Sequence, residues 1–96
     1  MDRTIQIDHY VADTLMRDLV GHDRRTASYL VYLYLVAACD GRAAMLSHQQ
    51  IADATGLSKR TVQDAVAHLA QRGLLAVEKK GRTEAATLRP LTPWRR

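Results

Sequence analysis

The stretch from Ser47 to Leu75 constrains the fold more than any other part of the chain. Its apolar residues fall into two helical stripes, Ile51 with Ala52 and then Val62, Ala65, Val66 and Leu69, separated by Gly56 and Leu57. Two short helices can meet at a steep angle only where their facing positions are small and the turn between them accepts left-handed backbone. Ala52 supplies the small residue and Gly56 the turn. Leu57 and Val62 are then expected to fill the gap between the helices, with Ile51 pointing into the core. Local signals agree. Ser47 stands before the first stripe with Gln50 three residues on, a capping-box spacing. Ser58 caps the second, and Gly73 ends it with Arg72 in the last turn, where a cation suits the helix dipole. The spacing predicts one helix from Ser47 to about Thr55 and another from Ser58 to about Arg72.

Upstream, Val11, Leu15 and Leu19 recur every four residues, with Met16 and Val20 broadening the stripe. This predicts a helix over 8–20, capped by Asp8 and stopped by Gly21. A second helix is expected from near Asp23, again a capping type, to about Ala38, before a turn at Asp40-Gly41. Its stretch Tyr29–Val36 is apolar almost all the way round and must be covered on every side. Its β-branched and aromatic content would also suit a buried strand, but length and the Thr26-Ala27-Ser28 opening favour helix. Whatever the chain leaves uncovered would favour a dimer contact. Tyr29 and Tyr32, with Leu33 and Val36, fit a buried stripe whose hydroxyls reach the rim. A ligand pocket lined by Tyr29, Tyr32 and Tyr34 at a dimer interface is the alternative to that packing role.

Ala44–Leu46 reads as a short strand. Leu74–Lys79 and Thr83–Leu91 read as two strands around a basic hairpin tip, Lys80-Gly81-Arg82. Pro90 and Pro93 close the ordered part, and Trp94-Arg95-Arg96 reads as a loose tail. The expected architecture is one mainly α domain with a small β-hairpin, in the order α-α-(β)-α-α-β-β.

Size and charge narrow the function classes. With 96 residues, 47% of them hydrophobic, the chain can bury one small core and has no room for a catalytic domain beside a binding domain. The longest apolar run, Tyr29–Cys39, is 11 residues, against roughly 20 for a membrane span. The N-terminus lacks the basic-then-apolar pattern of a signal peptide. Cys39 is the single cysteine and makes no internal disulfide, which suits a reducing cytoplasm. Residues 1–57 carry five Lys/Arg against seven Asp/Glu, whereas residues 58–96 carry nine against three. That asymmetry points to an anionic partner for the C-terminal part, or else to a solvated basic face.

Read together, residues 48–67 resemble the helix-turn-helix of bacterial transcription regulators, with Ala52, Gly56 and Val62 at the fifth, ninth and fifteenth positions of the motif. Ser58-Lys59-Arg60-Thr61-Val62, the close from Leu69 to Gly73-Leu74-Leu75 and the hairpin after it are similar to a winged helix. MarR-like and GntR-like regulators and plasmid replication initiators share this layout, and the likeness covers residues 47–91. It implies a winged helix-turn-helix whose second helix, 58–72, enters the major groove of double-stranded DNA while the wing, 74–91, reaches the backbone or minor groove. By position, Lys59, Arg60 and Gln63 become base readers. Ser58 and Thr61 would bond phosphates, as would Ser47 and Gln49 at the first motif helix. Lys79, Lys80 and Arg82 would sit on the wing. Asp64 would either accept from a cytosine amino group or pair with Arg60 at i,i+4, and the ion pair is the expected role. Arg72 and Arg89 are expected as solvated charges.

The resemblance implies a cytoplasmic homodimeric transcription regulator, a repressor by default, with residues 1–46 supplying core and dimer contact. The alternatives are a winged-helix module that docks protein and the DNA-binding domain of a replication initiator. Other chemistry finds little support. His9, His22, His48 and His68 show no zinc-ligand spacing. Cys39 fits core better than a thiol–imidazole pair with His48, although an interface thiol could be modified. No phosphate loop, carboxylate pair or nucleophile elbow is present. No enzyme activity, cofactor or small-molecule effector is indicated.

Overall fold

The computed structural model describes residues 3–79 and 85–95. Its elements run in the order a leading helix, α1 (Thr26–Cys39), β1 (Ala44–Leu46), α2 (His48–Thr55), α3 (Lys59–Gln71), β2 (Leu75–Glu78) and β3 (Ala86–Pro90). The strands form an antiparallel sheet in the order β1-β3-β2. Ala44 faces Leu88 and Leu46 faces Ala86 on one side of β3, while Leu75 faces Pro90 and Val77 faces Leu88 on the other. This is the winged helix-turn-helix architecture, with Ala44–Leu46 recruited as the third strand. The expected basic tip, Lys80 and Arg82 included, lies outside the described residues.

The leading helix departs from expectation. It has π character in two stretches, Val11–Leu15 and Arg17–His22, and it runs through Gly21 instead of stopping there. Residues four apart drift by about 40° per step around an ordinary α-helix. The wider turn of i→i+5 bonding keeps such a spacing closer to one line, and Val11, Leu15 and Leu19 are all buried. The left-handed turn after the helix falls on Arg24 (φ 56°), not on Gly21. Neither expected cap forms in this region. The N-cap of α1 is Arg25, without a side-chain bond, and Asp8 and Asp23 are both engaged elsewhere.

Helix α1 is the central element. Val31, Tyr32 and Leu35 are fully buried and only Leu30, at 43% exposure, is a large apolar residue left open on it. The leading helix, α3 and β3 cover it, so most of its demand for cover is met within the chain. Both tyrosine hydroxyls reach backbone carbonyls, that of Tyr29 donating inside the core to Val11 O at 3.0 Å and that of Tyr32 donating to half-buried Leu91 O at 2.8 Å, so only the second lies toward the rim. Burial raises both phenols, that of Tyr32 to about 12. Cys39 is buried at the end of α1, its thiol donating to Leu88 O at 3.6 Å and pushed up by burial.

Trp94 and Arg95 are held in place rather than loose, while Arg96 lies outside the described residues. Trp94 stacks on Tyr10 with ring centroids 4.5 Å apart and meets Tyr32 edge-on. Its indole N–H donates to Asp8 Oδ2 at 2.6 Å. Arg95 grips the same carboxylate in bidentate fashion, at 2.6 and 2.8 Å. Arg95 and then Trp94 hold the Asp8 carboxyl down at about 2.

Candidate nucleic-acid interface

Each helix of the central motif starts on a serine that satisfies an otherwise unpaired backbone N–H. Ser47 Oγ accepts from Gln50 N at 3.0 Å, and Gln50 Oε1 accepts from Ser47 N at 2.8 Å, which completes the capping box. Gly56 then turns the chain at φ 81°. Ser58 Oγ accepts from Thr61 N at 3.1 Å while its hydroxyl lies 2.8 Å from Thr61 Oγ1, so the two candidate phosphate ligands of α3 are bonded to each other. Thr61 keeps a hydroxyl proton for an outside acceptor if Ser58 donates to it.

Burial orients α3. Val62, Ala65, Val66 and Leu69 face inward against α1 and α2, so the opposite side is free of core contacts. Arg60 and Gln63 are exposed on that side, and Lys59 is half-buried beside them. Arg60 Nε lies 3.6 Å from Asp64 Oδ1, the i,i+4 pair expected from the spacing. At 83% and 58% side-chain exposure the pair is solvent-screened and easily exchanged for another partner. On α2, Ser47 is committed to its cap, and Gln49 Nε2 donates to Asp53 Oδ1 at 2.8 Å. That carboxylate beside Gln49 weakens its case as a phosphate ligand. Lys79 is exposed at the end of β2. The structure therefore brings Ser58, Lys59, Arg60, Thr61 and Gln63 together on the first turns of α3, with Ser47 and Gln49 at the start of α2.

Behind this face stands a network that sequence reasoning missed. Asp23 accepts from Arg72 Nε at 2.8 Å, from His68 Nε2 at 2.9 Å and from His22 Nδ1 at 2.8 Å. The His68 Nδ1 atom lies 2.8 Å from Ser28 Oγ. Because the carboxylate only accepts, Nε2 of His68 carries the proton toward Asp23, and Nδ1 faces the Ser28 hydroxyl. The bond from His22, then those from Arg72 and His68, hold Asp23 at about 2. Arg72 is thus a structural ion-pair partner, not a solvated charge. A hydroxyl, an imidazole and a carboxylate in line resemble a nucleophile array, but Ser28 is fully buried and no substrate reaches it. The array ties the rear of α3 to α1 and the leading helix. The available signal was His68 and Arg72 at i,i+4 on one flank of α3, which calls for an acidic partner. Among the described residues no group of His, Cys, Asp and Glu is arranged to hold a metal.

The family model of the Crp-like helix-turn-helix domain matches residues 24–89. The chain belongs to that family. It carries a helix-turn-helix DNA-binding domain, and α2 and α3 are the paired helices of the motif. Comparisons with curated proteins and with solved structures gave no match. The Crp-like match supports the helix-turn-helix reading; it does not itself select the MarR-like or GntR-like layout. The Crp-like region begins after the leading helix, which docks onto it through Asp23. No helix among the described residues is long and apolar enough to cross a membrane.

Proposed function

We propose that this Crp-like domain binds a specific double-stranded DNA site as a transcription regulator, with α3 in the major groove. The observation that carries the reading is the outward side of α3, where Arg60 and Gln63 stand exposed on a helix whose opposite side is wholly core. Arg60 and Gln63 have the reach and donor pattern for base edges, with Lys59 beside them. Ser58, Thr61, Ser47 and Gln49 supply backbone contacts at two helix starts, and Lys79, Lys80 and Arg82 extend them along the wing. Arg60 leaves Asp64 for a base at little cost, because the exposed pair is weak.

A homodimer on an inverted repeat, with half-sites about one helical turn apart, is the simplest assembly. Ile5, Ile7, Tyr10, Met16 and Leu30, between 37% and 45% exposed, favour a contact made by the first forty residues. The winged layout shared with MarR-like and GntR-like regulators fits such a dimer, and blocking polymerase at a promoter makes repression its simplest action in the cytoplasm. Selection of bound duplexes from a randomised pool tests the reading. An enriched inverted repeat, with one base position relaxed by Arg60→Ala, is the expected result. A pool that stays random after several rounds contradicts it.

A further inference from the structure

A cleft of about 280 Å³ opens at the end of the sheet opposite the one that leads into α2. The direction follows from the register. Leu46 faces Ala86 and leads directly into Ser47, so that end of the sheet adjoins the start of α2, while the other end, where Leu75 faces Pro90, follows the last turn of α3. Arg42, Arg89 and Pro90 lie at that other end, with Ile5 of the N-terminal arm and Val36 of α1 completing an apolar wall. Arg95 also lines the cleft, but its guanidinium is committed to Asp8. Arg42 and Arg89 are exposed and neither forms an ion pair among the described residues. Asp40, held in left-handed backbone (φ 49°), places one carboxylate at the rim.

We propose that this cleft binds a small carboxylate with a compact apolar body. Two arginines that form no ion pair among the described residues line one concavity, and a carboxylate is the acceptor that a guanidinium's forked geometry suits. Charge decides between anions. With Arg95 neutralised by Asp8, these two arginines set against Asp40 leave one net positive charge, which matches a monoanion better than a phosphate dianion. The volume lies just under the usual range for ligand sites, which calls for a compact ligand, and Ile5, Val36 and Pro90 provide the apolar contact. DNA phosphates are the competing occupant, but a concave site with an apolar wall suits a small molecule better.

Calorimetric titration of the full chain without DNA tests the site independently of the DNA reading. The probes are benzoate, phenyl phosphate and benzyl alcohol, which share the ring and differ in charge. Saturable benzoate binding is expected, with weaker phenyl phosphate and no benzyl alcohol binding. Arg42→Ala and Arg89→Ala should each weaken benzoate by about tenfold. Arg17→Ala, which removes an exposed cation on the leading helix, should leave it unchanged. Circular dichroism confirms that each variant folds. Absence of saturable benzoate binding overturns the proposal, as does binding that survives both cleft variants or falls equally in Arg17→Ala. If the cleft variants weaken DNA binding while benzoate does not bind, the arginines belong to the nucleic-acid surface and the proposal fails.

Discussion

Asp23 accepts hydrogen bonds from three side chains and joins the leading helix to the rear of α3. Its folded pKa lies near 2 against an ordinary 3.8, so the carboxylate stabilises the fold above about pH 4. That contribution disappears as pH falls from 3.8 toward 2, because the unfolded chain takes up the proton first. Asp8, depressed in the same range, adds to the same loss. Asp23→Asn should lower stability at neutral pH by about 1–3 kcal/mol and make the acid loss shallower, both read from urea denaturation between pH 7 and 2. An acid profile identical to that of the unsubstituted protein would remove Asp23 from its role. Ser58 is a simpler case. Ser58→Ala strips the N-cap of α3 and should cost about 1 kcal/mol, measured by the same titration.

At the scale of elements, the α2–α3 turn depends on backbone conformation more than on space. A Cβ at Gly56 would meet nothing within 4 Å, but the residue sits at φ 81°. Gly56→Ala should therefore cost about 1–2 kcal/mol from left-handed strain alone, seen as a lower urea midpoint; an unchanged midpoint would show that the turn can relax. Elements of this kind were legible in the sequence because their signals are local. Ser47 with Gln50, Ser58 with Thr61, and Arg60 with Asp64 lie within one helical turn of each other, and spacing alone identifies them. The inner stripe of α3 was legible for the same reason. The leading helix was less so, since a four-residue recurrence suits more than one helical pitch. What could not be read were pairings across the fold. Asp23 with His68 spans 45 positions and Asp8 with Trp94 spans 86, and nothing in their neighbourhoods marks one as the partner of the other. Both aspartates looked like caps because Asp before an apolar stripe usually is one.

Across the whole molecule, Asp8 and Tyr10 clasp Trp94 and Arg95, far apart in the sequence. Trp94 is the single tryptophan, packed between Tyr10 and Tyr32 and bonded to Asp8. Trp94→Ala should destabilise the domain by about 2 kcal/mol, less than the roughly 3–5 kcal/mol of a fully buried tryptophan. Thermal melting followed by circular dichroism checks this, and an unaltered melting temperature would mean that the clasp contributes nothing. The clasp keeps Trp94 and Arg95 against the start of the leading helix, on structure separate from the outward side of α3. The charge asymmetry of the chain has its counterpart here, with a net-acidic first part supplying much of the scaffold and a basic remainder supplying α3 and the wing.

The central claim is that this basic remainder is a DNA-binding surface built on α3. Fluorescence anisotropy of the protein on a random-sequence duplex, titrated across salt, tests it most directly. The account predicts binding whose log affinity falls linearly with log salt, at about 0.9 per phosphate neutralised, and a slope reduced by about one in Lys79→Ala. Absence of binding even at about 50 mM salt, or affinity indifferent to salt, would contradict it.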